Sequence, residues 1–416
     1  MRIRIFKISA LLVVVLFFVA LIDLIPCTVA VVSGKATPDG RPLMWKNRDT
    51  SSLSNKMMYF RGEKYGFIGL VDAKDKKGRN VWAGINTEGF AIMNSASGDL
   101  ADREEERMMG NGAFMKKALG ECATVRDFER LLKSTQGKRS VGANFGVIDA
   151  EGDACFYETG SASHQKFDAN DSRVAPFGYL IRTNYAFTAP QMYRGGGYIR
   201  FERASHLFET ACAEGRISLE FIIREAARDL VNEKLRSYPF SDPRSNNPRL
   251  PLYINTNDTI NRNSTASAVV FHGAPGREKA YLATMWILLG QPVCIAAVPL
   301  WASVSDIPYE LGGGETAPLN DFSRALASYL YPDKRGHMRQ YLSMTRMKHY
   351  QGEGVLSRLY RIDNQVITRT RRMLEEWESV RPSEKDMSDF EKEIASWVFK
   401  SMQKAFPNIE IAEKRQ

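Results

Sequence analysis

The hydrophobic pattern from residue 27 onward begins with strands. Residues 28–33 (TVAVVS) and 43–49 (LMWKNRD) flank a Pro38-Asp39-Gly40 turn, which predicts a β-hairpin. Short apolar runs at 57–61, 65–71, 81–85 and 90–94 extend the series, the last two joined by the turn Asn86-Thr87-Glu88-Gly89. Helical spacing takes over at 113–119 and 125–132, with Thr124 placed to cap the second helix. Strands return at 144–148 and 154–158, across a turn at 149–153, and again at 178–184.

Two helices are expected in the middle, at 198–214 and 219–232. In the second, Leu219, Ile222, Ile223, Ala226 and Leu230 form a 3.6-period stripe behind Ser218 as a cap. The Asn- and Pro-rich stretch 238–263 reads as an extended surface loop. Apolar runs at 267–271, 280–289 and 293–301 read as buried strands. Residues 320–406 look helical, with charged faces throughout. This order predicts an α+β class with layered, mostly antiparallel sheets: one domain over 27–310, with a C-terminal helical extension over 311–416 packed on it.

Residues 1–26 differ from everything after them. Arg2, Arg4 and Lys7 precede the apolar run 9–22 (SALLVVVLFFVALI), the make-up of an export signal. The run meets Asp23 and Pro26 and is short for a membrane span, so export with removal is expected over a retained anchor. The expected location is periplasmic or secreted, with membrane association only through uncleaved residues 1–26. Leu24-Ile25-Pro26 is not the small-residue pattern that a signal peptidase prefers. Either the chain cuts itself before Cys27, or an earlier cut is trimmed.

At 416 residues, 44% hydrophobic and 25% charged, the chain is neither disordered nor fibrous. Its net charge is +9, and losing Arg2, Arg4, Lys7 and Asp23 would leave +7. No aromatic-interleaved basic stretch accompanies that excess, so it reads as a solvated surface and no nucleic-acid partner is expected. The five cysteines, Cys27, Cys122, Cys155, Cys212 and Cys294, contain no CxxC pair, so neither metal nor cofactor is expected. The four beyond Cys27 are open to disulfides or to buried thiols.

Cys27 stands at the boundary between export segment and folded domain. As a first residue it would own a nucleophilic thiol and an α-amine of ordinary pKa about 7.7–8.0, able to take the thiol proton and return it to a leaving amine. Two plainer readings compete: a lipid-bearing cysteine, for which Pro26 is a poor preceding residue, and a small buried side chain.

The string CTVAVVSGKATPDGRPLMWKNRD resembles the start of the penicillin acyltransferase-type family of N-terminal-nucleophile hydrolases, to which choloylglycine hydrolases and the related dipeptidases are similar. The resemblance runs from Cys27 to about Trp301. It implies a four-layer αββα sandwich, self-processing in several members, and cleavage or transfer of linear amides. It implies that Asp49 holds the free α-amine, and that Lys46 stands where relatives have an arginine near the thiol. Asn94, ending NTEGFAIMN, and Asn184, in Arg182-Thr183-Asn184-Tyr185, match an oxyanion pair: a backbone N–H from the first and the side-chain amide of the second. Arg200, in YIRFER, matches an arginine near the active centre, against a plainer reading as a helix-surface cation.

The expected activity is an exported amidohydrolase that attacks a small-molecule N-acyl amide through a Cys27 acyl-enzyme. An acyltransferase or dipeptidase on the same fold, and a lipid- or membrane-anchored binding protein, stay open, as does a homo-oligomer.

Overall fold

A computed structural model of the chain describes residues 26–100, 109–189, 195–235, 247–249 and 251–411. The apolar run of the export segment and part of the expected 238–263 loop lie outside the described residues.

Two antiparallel sheets face each other. Numbered in chain order, the first holds β1 (Cys27–Val32), β2 (Leu43–Asp49), β10 (Tyr179–Arg182), β12 (Thr265–His272), β13 (Thr284–Leu288) and β14 (Val298–Leu300). They are bonded in the order β10-β1-β2-β12-β13-β14. The second runs in sequence order: β3 (Asn55–Phe60), β4 (Phe67–Asp72), β5 (Ala83–Asn86), β6 (Ala91–Ala96), β7 (Ala143–Ile148), β8 (Ala154–Thr159) and β9 (His164–Asp168). A small ribbon pairs β11 (Tyr253–Asn255) with β15 (Tyr341–Ser343).

The two-residue period of the strands sorts side chains onto faces. A Cβ on Gly146 of β7 would lie 2.7 Å from Met93 and 3.1 Å from Val31, so the sheets approach closely at this glycine. Val31 therefore faces the second sheet, and so do Val29, Cys27 and their partners in register, Met44, Lys46 and Arg48. The other face of β2 meets helix Tyr198–Ala213, where Trp45 stacks on Phe208 with ring centroids 6.1 Å apart. On the outer face of the second sheet, Phe114 and Phe128 from helices Asn111–Glu121 and Val125–Ser134 pack on Phe145 and Tyr157. Thr124 and Asp127 close the second of these helices with a capping box. Helix, sheet, sheet, helix: the architecture is α+β, in the four-layer αββα order.

Helices Val355–Ser379 and Glu384–Ala405 share one core with the first sheet. Trp301, just after β14, packs edge-on to Trp377 at 5.0 Å and against Phe390 at 6.0 Å. Arg228 and Asp363 join the layers as a fully buried ion pair at 2.6 Å, and Asp363 also accepts from the Ala297 N–H at 3.0 Å.

Six expectations change. The run 293–301 opens in a 3-10 turn, Pro292–Cys294, and is strand only at Val298–Leu300; β15 and the 3-10 turns Gly336–Gln340 and Tyr350–Gly352 interrupt the helices expected over 320–406. Strand β9 was not anticipated, because HQKFD is mostly polar and lies at the sheet edge. The helix expected over 219–232 is cut short: Leu219–Phe221 widens into a π turn at Ile222–Ala226. Beyond it the Ala227 carbonyl accepts from Asn47 Nδ2, and Arg228 turns in to the Pro292 and Ile295 carbonyls. The run 280–289 starts as a 3-10 turn, Arg277–Leu282, before β13. The described end of the expected surface loop is not at the surface: Thr256, Thr259, Ile260 and Asn261 are buried.

Asp363→Ala leaves the Arg228 guanidinium buried without its counter-charge. A stability loss of about 3–5 kcal/mol is expected in urea unfolding. A loss below about 1 kcal/mol would mean that the pair does not anchor the C-terminal helices.

Candidate active site

Cys27 opens β1 beside β2, and its contacts follow from the antiparallel ladder. The Asp49 N–H donates to the Pro26 carbonyl at 3.2 Å, which makes Cys27 and Arg48 the adjacent non-hydrogen-bonded pair, the kind whose side chains come closest. The Cys27 N–H consequently points away from β2, toward β10. Continuing the β1–β10 register places Asn184 opposite Cys27, but β10 ends at Arg182 and the Asn184 backbone pairs with Gly196 instead. Its side chain stands in for the missing strand: Asn184 Oδ1 accepts from the Cys27 N–H at 2.7 Å. Both sides of the Pro26–Cys27 peptide bond are thus held.

Two of the cations on the Cys27 face come from β2, next to Cys27. Lys46, 1% exposed, donates from Nζ to the Trp82 carbonyl and to Asn94 Oδ1, each at 2.8 Å. Burial lowers its pKa to about 8 against the opposing pull of Cys27. Arg48 donates to Asn55 Oδ1 at 2.5 Å and to Asp72 at 3.0 Å, and lies over the Trp82 ring. The second sheet therefore supplies the acceptors for both cations.

On the helix side, Arg200 donates to the Cys27 carbonyl at 2.7 Å, to Thr28 Oγ1 at 2.9 Å and to Asn184 Oδ1 at 2.8 Å. Gly197, at φ +84°, begins this helix, and a Cβ there would come within 2.4 Å of Arg200 Nη2. Asp49 is buried on the same side. Its Oδ1 accepts from Thr265 Oγ1 at 2.5 Å, and Arg262 lies 3.7 Å from Oδ2. Burial raises the Asp49 pKa, while Arg262, Arg200 and Thr265 oppose the rise.

All six residues expected at the site, Cys27, Lys46, Asp49, Asn94, Asn184 and Arg200, converge on the start of β1. Two placements differ from expectation: the Asp49 carboxylate is held by Thr265 and Arg262 while Asn184 Oδ1 holds the Cys27 nitrogen, and the Asn184 amide is turned. The Asn184 amide nitrogen donates to the Ala96 carbonyl at 2.8 Å, and its oxygen faces Cys27. The Arg200 guanidinium and the Cys27 N–H, both donors, and the Ala96 carbonyl, an acceptor, determine this orientation.

Sequence reading missed Arg262 and Thr265, because the stretch leading to β12 looked exposed and polar. Its only signal was an arginine just ahead of an apolar run. It also missed the tether on the Asn184 segment. Asn144 Nδ2 donates to the Thr183 and Tyr185 carbonyls at 3.1 Å, and Ser95 Oγ bonds the Thr183 carbonyl. Arg182 pairs with the buried Glu158 at 2.8 Å, and Glu158 in turn accepts from the Phe187 and Thr188 N–H groups. The other four cysteines form no disulfide among the described residues. Burial pushes the Cys122 thiol up to about 12 and raises Cys155 and Cys294 as well.

No protein-family model and no curated protein matches the chain. Among solved structures it is similar to a mutant of conjugated bile acid hydrolase from Clostridium perfringens, at 11% identity and a TM-score of 0.41, covering 66% of this chain and 92% of that one. It is also similar to penicillin V acylase from Agrobacterium tumefaciens, at 14% identity and a TM-score of 0.37, covering 66% and 85%. A third similar structure is the Caenorhabditis elegans ortholog of N-acylethanolamine-hydrolyzing acid amidase, at 16% identity and a TM-score of 0.37, covering 63% and 100%.

Thr265→Val removes the hydroxyl donor from a buried carboxylate whose other oxygen has no hydrogen bond among the described residues. It should cost about 1–3 kcal/mol in urea unfolding, and Thr265→Ser should recover most of that. Equal stability of the Val variant and the wild type would show that Asp49 does not depend on this bond.

Proposed function

We propose that the chain is an exported amidohydrolase of the N-terminal-nucleophile type, which cuts its own Pro26–Cys27 bond and then uses Cys27 to cleave linear amides of small N-acyl compounds. One observation carries the reading: the bond before Cys27 is held from both sides, its carbonyl by the Asp49 N–H and its N–H by Asn184 Oδ1, next to two buried cations. The two hydrogen bonds would serve any buried strand end, but a merely structural cysteine needs no buried cations beside its thiol.

In the mature form the α-amine of Cys27 takes the thiol proton, and the Lys46 and Arg48 charges favour the thiolate. The thiolate attacks the amide carbonyl carbon, and the resulting oxyanion is stabilised by the Asn94 backbone N–H and the Asn184 amide. Donation by Asn184 requires its amide to turn from the Ala96 carbonyl once the Pro26–Cys27 bond is gone. The α-ammonium then protonates the leaving amine, and water releases the acyl group. Asp49 and Arg200 hold the strand end on which both reacting groups of Cys27 sit. Hydrolysis is favoured over acyl transfer because an exported enzyme lacks an evident supply of activated acyl donors.

Full-length protein, purified after expression, should yield an active form whose first residue is Cys27 by N-terminal sequencing. When it is supplied already cut at that position, Cys27→Ser should lose acyl-enzyme formation on a panel of N-acyl amines and N-acyl amino acids, with little change in melting temperature. An active form that starts elsewhere, wild-type turnover by the serine variant, or a diacylglyceryl mass on Cys27 would each defeat the reading.

A further inference from the structure

Before the cut, the Cys27 nitrogen is an amide, so the α-amine that serves as base in the mature protein does not yet exist. Self-cleavage must find another acceptor for the thiol proton. Among the described residues, the basic side chains on the sheet face that Cys27 occupies are Lys46, Arg48 and Arg182, the last paired with Glu158. A guanidinium does not give up its proton in a protein, and Arg48 is already engaged with Asn55 and Asp72. Lys46 is the one that can titrate.

Its surroundings suit both protonation states. Lys46 Nζ has two acceptors, the Trp82 carbonyl and Asn94 Oδ1, at 2.8 Å each. A neutral amine carries two N–H donors and one lone pair. Both acceptors therefore stay satisfied when Lys46 loses a proton, and no buried polar group is orphaned. The charged groups that act on it are Cys27 from β1, the strongest of them, and Arg48 and Asp49 from β2. Its partners from the second sheet are neutral. Burial has already brought its pKa down to about 8, so a usable fraction is neutral near pH 7.

We propose that Lys46 is the base that takes the Cys27 thiol proton while the Cys27 nitrogen is still joined to Pro26. This rests on the self-cleavage reading above. The proton passes from Sγ to the Lys46 amine, and the thiolate sulfur attacks the Pro26 carbonyl carbon. The oxyanion that forms keeps the Asp49 N–H as its donor. The carbon–nitrogen bond then breaks as the Cys27 nitrogen accepts a proton from the Lys46 ammonium. The products are a thioester between residue 26 and the Cys27 sulfur, and a new α-amine. Water hydrolyses the thioester, which releases residues 1–26 as a carboxylic acid and restores the thiol. From then on the α-amine is the base.

The test follows self-cleavage of purified full-length chain by intact mass, from about pH 6 to pH 10. The wild-type rate should rise with pH and level off above about 8. Lys46→Arg keeps the charge but loses the base, and should slow cleavage by about 100-fold or more at pH 7.5. Lys46→Ala should be equally slow and should recover with ethylamine or propylamine, but not with tetramethylammonium, which has charge and no lone pair. The proposal is overturned if Lys46→Arg cleaves within about threefold of the wild type, if amines fail to rescue a Lys46→Ala variant that melts cooperatively, or if the wild-type rate is flat across that pH range. If the wild type does not cut itself at all, both the proposal and the self-cleavage reading fail. Amide hydrolysis by a chain given Cys27 as first residue with a separate protease then tests the hydrolase reading by itself.

Discussion

Two cations buried between apolar sheets are the constraint around which this molecule is arranged. An ammonium and a guanidinium taken out of water each lose several kcal/mol of hydration even after the protein relaxes. Lys46 and Arg48 are 1% and 2% exposed, so the second sheet has to answer them with oxygen atoms at hydrogen-bond distance. Asn94, Asn55, Asp72 and the Trp82 carbonyl do so, and the Trp82 ring lies 5.0 Å beneath the Arg48 guanidinium. The separation and register of the two sheets at this end are tied to these contacts, and Cys27 is placed among them by its pairing with Arg48.

The second requirement is an acceptor for the Cys27 N–H where β10 has ended. A backbone carbonyl continuing the ladder would bury the site under another strand. A side-chain carbonyl on a departing segment meets the same hydrogen-bonding need and leaves the edge open. Beyond the single bridge of Asn184 to Gly196 such a segment is fastened from other directions: by Asn144 and Ser95 from the second sheet, by Glu158 through the Phe187 and Thr188 N–H groups, and by Arg200 from the helix layer. Polar contacts of this kind fix one arrangement more narrowly than apolar packing would, because each displaced partner becomes an unsatisfied buried group.

The C-terminal helices answer the same need for burial. They pack at the β14 edge of the first sheet, with Trp301 enclosed by Trp377 and Phe390, and the Glu391 carboxylate accepts from the Trp301 N–H at 2.6 Å.

Much of this was legible in the chain. The apolar run in TVAVVS and the Pro38-Asp39-Gly40 turn before LMWKNRD carry the hairpin, and the two-residue period of a strand puts Lys46 and Arg48 on one face and Asp49 on the other. The Thr124 cap could be read because caps are local. Cys27 could be singled out because it stands where the composition changes. Where recognition depended on distant partners, the chain was silent. Arg262 and Thr265 sit in a stretch whose polarity suggests solvent, yet Asp49, more than 200 positions away, draws them inside. The helix after Ser218 has an unbroken apolar stripe, and it stops where Asn47 and Asp363 compete for its atoms. The direction of the Asn184 amide was likewise beyond reach of the sequence, because an asparagine offers donor and acceptor equally, and only its distant neighbours, the Cys27 N–H, the Arg200 guanidinium and the Ala96 carbonyl, choose between them.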